Sequence, residues 1–174
     1  MIYKDSLIEA MGWLGEQPDT LFIGQTVGCA GSYMFGSLEK VPMAKRQELP
    51  VCEETQMGMT LGLALEGYTV VSVYPRIDFL LLAMNQLVNH VDKIKVMSDG
   101  KMQPRIIIRT SIGPKQPLDG GPQHTQDHTD ALRRMLTMVS AVEVLSEAWA
   151  MRQYRKAYER GGIWLFVEDG SQYV

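Results

Sequence analysis

The side chains best suited to chemistry are a pair of glutamates and two histidines that lie four residues apart. Glu53 and Glu54 begin an apolar-periodic segment, where carboxylates complement the dipole at the amino end of a helix. Taken alone, the glutamate pair is therefore explained by helix stability. His124 and His128 could bind a metal ion if they shared one helical face, but His124 ends a Gly/Pro-rich loop. The spacing therefore favours a single functional histidine, His124.

Composition and missing motifs narrow the classes of protein that the chain can represent. It has 174 residues, 45% hydrophobic and 21% charged, which is typical of one globular domain. The formal charge of −3 gives no support for nucleic acid or an anionic membrane as a partner. The most apolar run, residues 79–84, is far shorter than the roughly 20 residues of a membrane span. We expect a cytoplasmic protein in which Cys29 and Cys52 are reduced.

The usual nucleotide, hydrolase and zincin motifs do not occur. The sequence has no G-x-G-x-x-G after the first predicted strand, no G-x-x-x-x-G-K-[ST], no G-x-S-x-G and no H-E-x-x-H. Common routes to phosphate binding, serine hydrolysis and zinc catalysis therefore lack support.

Apolar runs of strand type alternate with helical segments along the chain. This pattern predicts an α/β fold: a doubly wound, mostly parallel sheet with helices on both faces. Helices are predicted over residues 6–17, 53–66, 79–97 and 146–160, with a short one after the loop 111–123. Strands are predicted over 20–24, 69–74, 105–109, 138–144 and 163–167, and 25–49 is predicted as a long loop.

Ligands in such sheets bind beyond the carboxyl ends of the strands. The loops after Gly24, Tyr74 and Arg109 are therefore the predicted ligand-binding region. Gly58 and Gly62 lie inside the predicted helix that begins at Glu53 and cost roughly 1 kcal/mol each relative to alanine. We expect another backbone to pack closely against them.

A series of short motifs resembles the pyrimidine-binding domain of thiamine-diphosphate enzymes of the transketolase and 2-oxoacid dehydrogenase beta-subunit group. The resemblance covers residues 20–135, and it is weaker through 164–168. In order, the motifs are Leu49-Pro-Val-Cys-Glu53, Gly58, Gly62-Leu-Ala-Leu-Glu-Gly67, Asp78-Phe79, Asn85-Gln-Leu-Val-Asn89, Lys93, Met97-Ser-Asp-Gly100, Pro104-Arg-Ile-Ile-Ile-Arg109 and Gly121-Pro-Gln-His124-Thr-Gln126.

The resemblance implies roles for single residues. Glu53 would hydrogen-bond N1′ of the cofactor aminopyrimidine and favour the imino tautomer that removes the proton from thiazolium C2. His124 would face the substrate carbonyl as a donor or proton carrier. Gln25, Tyr74, Arg76 and Phe79 would contact the cofactor or face the substrate. No residue of the chain is expected to bind a metal ion.

Two positions depart from the family pattern. Arg76 stands where an aromatic residue is common, and a guanidinium can either stack on an aminopyrimidine or contact an anionic substrate. Gln25 and Thr26 replace an acidic pair that is frequent in the beta-subunit group. That replacement raises doubt about proton relay between paired active sites.

The resemblance also implies a partner. The family holds Mg²⁺ and diphosphate through a G-D-G motif with a downstream asparagine, which this sequence lacks, and the sequence ends at Val174. We therefore expect residues 1–174 to be a single pyrimidine-binding domain, with neither a diphosphate-binding domain nor a transketolase C-terminal domain. Thiamine diphosphate would be bound together with a separate Mg²⁺-holding subunit, as a heteromer of heterotetramer type, and the chain alone could self-associate.

The expected reaction is carbon–carbon bond cleavage or transfer on a ketose or a 2-oxo acid. Two alternatives stay open at this point. One is a non-catalytic regulatory or scaffolding subunit that retains the fold, and the other is an unrelated flavodoxin-like binding module.

Overall fold

The computed structural model describes residues 3–146 and 149–173. Strands and helices alternate along these residues, as the periodicity predicts. The strands are β1 (Thr20–Gly24), β2 (Arg46–Glu48), β3 (Thr69–Val73), β4 (Arg105–Ile112), β5 (Ala141–Leu145) and β6 (Ile163–Asp169). The α-helices are α1 (Tyr3–Glu16), α2 (Tyr33–Gly36), α3 (Glu53–Leu65), α4 (Ile77–Leu80), α5 (Ile94–Met97), α6 (Thr129–Met135) and α7 (Ala150–Arg160).

The six strands form one sheet in the order β2-β1-β3-β4-β6-β5, and every pair is parallel. The predicted α/β class is confirmed. The chain moves from β1 outward to β2 and then crosses to the other side of β1 to form β3. The order of strands therefore reverses between β1 and β3, and ligands of open α/β sheets bind at the carboxyl ends of the strands at such a point.

Side chains of the sheet alternate between two apolar layers, one on each face. Phe22 packs in the layer with α1 and α7, and its neighbour Ile23 packs in the layer with α3. All five residues of β3 are buried, because helices cover both faces of this central strand. Among residues 3–146 and 149–173, no helix is both long and apolar enough to cross a membrane.

The long helix predicted over 79–97 is broken into several shorter elements. After α4 the chain forms a 3-10 turn at Leu81–Ala83 and a π-helix at Gln86–Val91, and α5 follows. The apolar spacing of four survives, since Leu87 and Val91 are both buried. The wider turn directs the fully buried Asp92 towards the amides of residues 137–139, from which it accepts hydrogen bonds.

Other predicted elements differ at their ends or were missed. The predicted loop 25–49 contains β2 and α2, which have only three and four residues and are too short to give a periodic signal. Strand β4 continues to Ile112, beyond the predicted end at Arg109. The predicted helix 146–160 begins at Ala150 in the described part, and residues 147 and 148 lie outside the described residues.

The expectation that another backbone packs on Gly58 and Gly62 is wrong within the described chain. A Cβ atom built on either glycine meets no heavy atom within 4 Å, because this face of α3 points away from the sheet. Met59 and Leu65 on the same helix are 40% and 41% exposed. The helix therefore has an open face, which carries both glycines.

A buried ion pair joins β4 to β6. Arg109 and Glu168 are completely buried, and their bidentate contacts measure 2.7 Å (Nε to Oε1) and 2.9 Å (Nη2 to Oε2). The hydroxyls of Tyr154 and Tyr173 also donate to the Glu168 carboxylate. The charge of each partner is compensated inside the core, so loss of one partner leaves the other charge exposed to a medium of low polarity.

We predict that Glu168→Gln lowers the free energy of unfolding by about 3 kcal/mol, because it leaves the Arg109 guanidinium without a counter-charge. Glu159→Gln, on the exposed side of α7, should change stability by less than about 0.5 kcal/mol. Urea denaturation of both variants measures the difference. Equal stability of the two variants would contradict the assigned role of the ion pair.

Candidate active site

Glu53 is a nearly buried carboxylate at the first position of α3. It is 4% exposed, and its Oε1 accepts a hydrogen bond from Gln25 Nε2 at 3.0 Å. Its Oε2 accepts no hydrogen bond from the described residues. The structure thus brings together two predicted site residues, Gln25 and Glu53, and one of the two Glu53 carboxylate oxygens has a hydrogen-bond partner among the described residues.

The end of β1 must contain a glycine for Gln25 to take this position. Gly24 has φ of 138°, and an added Cβ would lie 2.3 Å from the Val73 carbonyl oxygen and 2.7 Å from Gln56 Nε2. Gln56 Nε2 in turn donates to that carbonyl at 2.9 Å. The tight approach of β1, β3 and α3 therefore positions both Gln25 and Glu53.

Glu48 is a functional residue that the sequence analysis missed. Its carboxylate accepts hydrogen bonds from the backbone amides of Thr26, Val27 and Gly28 at 2.7–2.8 Å. Partial burial acts to raise the pKa of Glu48, but these amide hydrogen bonds outweigh it and hold that pKa below its usual value. Glu48 fixes the start of the loop that follows Gln25. The Glu48 carboxylate reaches the amides of residues 26–28 only because the long loop between them folds back on itself.

Tyr74 has no exposed surface. Its hydroxyl lies 3.4 Å from the backbone carbonyl oxygen of Glu53, to which it donates. Burial raises the pKa of the Tyr74 hydroxyl to above its usual value. In this structure Tyr74 supports the start of α3 from below, and its predicted contact with a cofactor stays a prediction.

Arg76 is half-buried and lies over the ring of Tyr33, with its guanidinium carbon 4.5 Å from the ring centroid. Its Nη1 donates to the Pro75 carbonyl at 3.0 Å, and its Nε is buried without a hydrogen-bond partner among the described residues. Tyr33 lies in α2, within the long loop after β1. No local sequence signal predicts the contact between Tyr33 and Arg76.

Phe79 and His124 form an edge-to-face pair with ring centroids 5.4 Å apart. The loop that carries His124 runs so close to β4 that a Cβ on Gly113 would lie 1.8 Å from the His124 carbonyl oxygen. His124 Nδ1 is buried and has no hydrogen-bond partner among the described residues. The predicted site residues Arg76, Phe79 and His124 thus converge on one region beyond β3 and β4.

Asp78 ties this loop to α4. Its Oδ1 accepts a hydrogen bond from Gln126 Nε2 at 2.9 Å and lies 4.0 Å from His128 Nε2. His124 and His128 do not share a helical face, because α6 begins only at Thr129. Within the described ranges, no three His, Cys, Asp or Glu side chains are grouped in a way that could hold a metal ion.

The geometry fits the aminopyrimidine half of thiamine diphosphate. The open oxygen of Glu53 can hydrogen-bond a ring nitrogen, and Gln25 holds the other oxygen in place. Arg76 Nε and His124 Nδ1, on two other predicted site residues, are buried and have no hydrogen-bond partner among the described residues. Taken together, fold and site resemble a pyrimidine-binding domain of the thiamine-diphosphate type.

Comparison with known proteins agrees with this assignment. The chain is 32% identical over 126 residues to a pyruvate dehydrogenase E1 component subunit beta of Chaetosphaeridium globosum, covering 71% of this chain and 37% of the relative. It is also 32% identical over 132 residues to the chloroplastic subunit beta-4 of Oryza sativa subsp. japonica, covering 71% and 30%. No family model matches the sequence.

A solved structure described as a split gene transketolase, inactive beta4 tetramer, shares the fold with a TM-score of 0.69 and 17% identity. The match covers 97% of this chain and 50% of that chain. The chain thus spans about a third of the two beta subunits and half of the solved structure. The resemblance to the pyrimidine-binding domain of thiamine-diphosphate enzymes is confirmed.

We predict that Glu48→Gln lowers stability by about 1.5 kcal/mol at neutral pH, because the amides of residues 26–28 lose a charged acceptor. The contribution of Glu48 to the free energy of unfolding is complete above the pKa of a glutamate in the unfolded chain, about 4.3. It is lost as the pH falls through the pKa of Glu48 in the folded protein, which is lower. The gap between wild type and variant should therefore shrink in acid.

Urea denaturation between neutral pH and pH below about 4 measures this gap. Glu66→Gln, an exposed glutamate at the end of α3, serves as the control and should show no such gap. A gap that stays constant with pH would contradict the role assigned to Glu48.

Proposed function

We propose that this chain is the pyrimidine-binding subunit of a thiamine-diphosphate-dependent enzyme. The reaction is carbon–carbon bond cleavage or transfer on a ketose or a 2-oxo acid, of transferase or oxidoreductase type. The observation that carries the proposal is the buried Glu53, with one oxygen held by Gln25 and the other open, where the strand order reverses. A carboxylate that only complements a helix dipole needs neither burial nor a second side chain to orient it.

Glu53 would act on the cofactor through a shared proton. When bound, thiamine diphosphate would supply a carbon nucleophile at C2 of its thiazolium ring. The Glu53 carboxyl group would share a proton with N1′ of the aminopyrimidine and would so favour removal of the C2 proton. Gln25 holds Oε1, so that the proton-sharing oxygen keeps one orientation.

The other predicted site residues would bind the substrate or hold Glu53 in position. Phe79 and His124 form one wall through their edge-to-face contact, and the His124 imidazole would donate to a substrate carbonyl. Arg76 lies beside them as a cation. Tyr74 keeps the Glu53 backbone in place from the core. Together these residues supply the pyrimidine and substrate side of the site.

A second chain completes the site. We infer that a separate subunit holds the metal ion and the diphosphate, because the relatives are named as beta subunits and the similar solved structure is described as a split gene transketolase. We propose a heteromer of heterotetramer type, in which cofactor binding requires both chains. A cytoplasmic location stays a prediction from the sequence, and the rice relative carries the word chloroplastic in its name.

The open face of α3 is the proposed contact surface for another chain. A Cβ on Gly58 or Gly62 would meet no other part of the described chain. Val51, just before α3, and Leu82, in the 3-10 turn that contacts α3, are 77% and 65% exposed. A groove of about 500 Å³ along this helix is lined by Cys52, Glu54, Thr55, Gly58, Met59 and Gln86. An apolar face with room for a close backbone is suited to helix packing, either with the partner subunit or with a second copy.

We predict that Glu53→Gln slows hydrogen–deuterium exchange at thiamine C2 at least tenfold in the complex with the partner subunit. Glutamine keeps the size of the side chain but cannot share the proton, and a hydrogen bond to a charged group is worth roughly 1.5–3 kcal/mol. Proton exchange at C2 is followed by NMR, with cofactor binding measured in parallel by calorimetry.

Glu16→Gln is the control, because Glu16 is exposed at the end of α1, away from α3. It should retain normal exchange and change stability by less than about 0.5 kcal/mol. Unchanged exchange in Glu53→Gln, in a complex that binds cofactor normally, would contradict the catalytic proposal. That result would favour the alternative of a non-catalytic regulatory or scaffolding subunit.

We predict that a small side chain at Gly62 stabilises the isolated chain and that a large one weakens its association with another chain. Gly62→Ala should stabilise the isolated chain by about 1 kcal/mol, since the site is helical and open. Gly62→Met should weaken association with the partner subunit or with a second copy at least tenfold, because its side chain occupies the space for the approaching backbone.

Sedimentation and thermal unfolding measure the two effects. Gln103→Ala, at an exposed position away from α3, serves as the control. Association of Gly62→Met at wild-type strength would exclude this face as the interface.

A further inference from the structure

Arg76 is a half-buried cation without a counter-charge. No carboxylate oxygen of residues 3–146 and 149–173 lies within 4.0 Å of its guanidinium nitrogens. Its Nε is buried without a partner, and its Nη2 makes no hydrogen bond with the described residues. A charge held partly away from water is costly unless something compensates it, so the position is suited to a negatively charged ligand.

The guanidinium is held in one place by its surroundings. The Tyr33 ring covers one of its faces at 4.5 Å, and the Pro75 carbonyl accepts from Nη1 at 3.0 Å. Gly113 lies against its edge, where an added Cβ would be 3.0 Å from Nε. Because the cation is fixed before any ligand arrives, little side-chain entropy remains to be lost on binding.

Tyr33 is itself fixed from below. Its hydroxyl lies 2.5 Å from Ser111 Oγ, and its ring packs at 4.7 Å from the ring of Tyr173. Tyr173 belongs to the buried cluster around Glu168. The stack of Arg76 on Tyr33 is therefore supported by the core, which distinguishes it from a freely moving arginine on the surface.

We propose that Arg76, stacked on Tyr33, is the subsite for an oxyanion group of the substrate, and that Tyr33 is its positioning residue. The proposal rests on the proposed function, because Phe79 and His124 of the same region provide the rest of the substrate wall. The ligand chemistry is a planar carboxylate or a phosphate, both of which match the guanidinium fork. One face of the guanidinium is already occupied by Tyr33.

Titration of the full chain, without cofactor, tests the proposal. The ¹H–¹⁵N signal of the Arg76 Nε–H group, assigned by its loss in Arg76→Leu, is followed while pyruvate, inorganic phosphate or acetaldehyde is added. Sodium chloride at matched ionic strength controls for general screening. We expect a saturable shift with pyruvate or with phosphate, and none with neutral acetaldehyde or with chloride. The comparison of pyruvate with phosphate identifies the type of oxyanion.

Variants separate the cation from its support. Arg76→Lys keeps the charge but loses the planar stack, and binding measured by calorimetry should weaken at least about tenfold. Tyr33→Leu removes the ring that holds the guanidinium and should bind at least about tenfold more weakly. Arg152→Leu removes another arginine stacked on an aromatic ring, Trp149, on exposed α7, and should leave binding unchanged.

Three results would overturn the proposal: no saturable shift at tens of millimolar, an equal shift with chloride, or undiminished binding in Arg76→Leu. Because this titration needs neither cofactor nor partner, its outcome is separate from C2 exchange in the complex. Normal C2 exchange without anion binding would remove only the subsite. Anion binding without C2 exchange in a cofactor-loaded complex would remove the proposed thiamine chemistry and leave an anion site of another purpose.

Discussion

The site depends on one constraint: peptide groups at the carboxyl edge of the sheet need hydrogen-bond partners where the strands end. The Val73 carbonyl accepts a hydrogen bond from the side-chain amide of Gln56, and the Pro75 carbonyl accepts one from the hydroxyl of Ser111. The amides of residues 26–28 donate to the Glu48 carboxylate. The side chains that hydrogen-bond these backbone groups also position Gln25, Glu53 and Arg76. The same contacts therefore stabilise the fold and set the geometry of the site.

Below this edge lies the buried pair of Arg109 and Glu168. It joins β4 to β6, and its tyrosine partners extend the network upward, since Tyr173 contacts both Glu168 and the ring of Tyr33. Tyr33 in turn covers Arg76. A continuous set of packed aromatic and charged groups therefore connects the most buried charges of the core to a cation beside the site, and the rigidity of Arg76 derives from the core.

Much of the fold follows from local sequence, but several site contacts do not. The β-branched run that forms β3 and the apolar spacing of α3 identify these elements, and Glu53 follows from its motif. Glu48 and Tyr33 escape prediction because their partners lie about 20 and 43 residues away along the chain, across a long loop. The break in the predicted helix 79–97 escapes too, because a π-turn keeps the apolar spacing while it turns Asp92 inward.

The open face of α3 is the surface of the described chain that the proposed second chain would cover. Glycine within a helix costs roughly 1 kcal/mol relative to alanine, and Gly58 and Gly62 receive no compensating contact from the described chain. Both lie on the helix whose first residue is Glu53. A chain that packs against these glycines would therefore contact the same helix that holds the Glu53 carboxylate. In the proposed function, assembly and catalysis would then act through one helix.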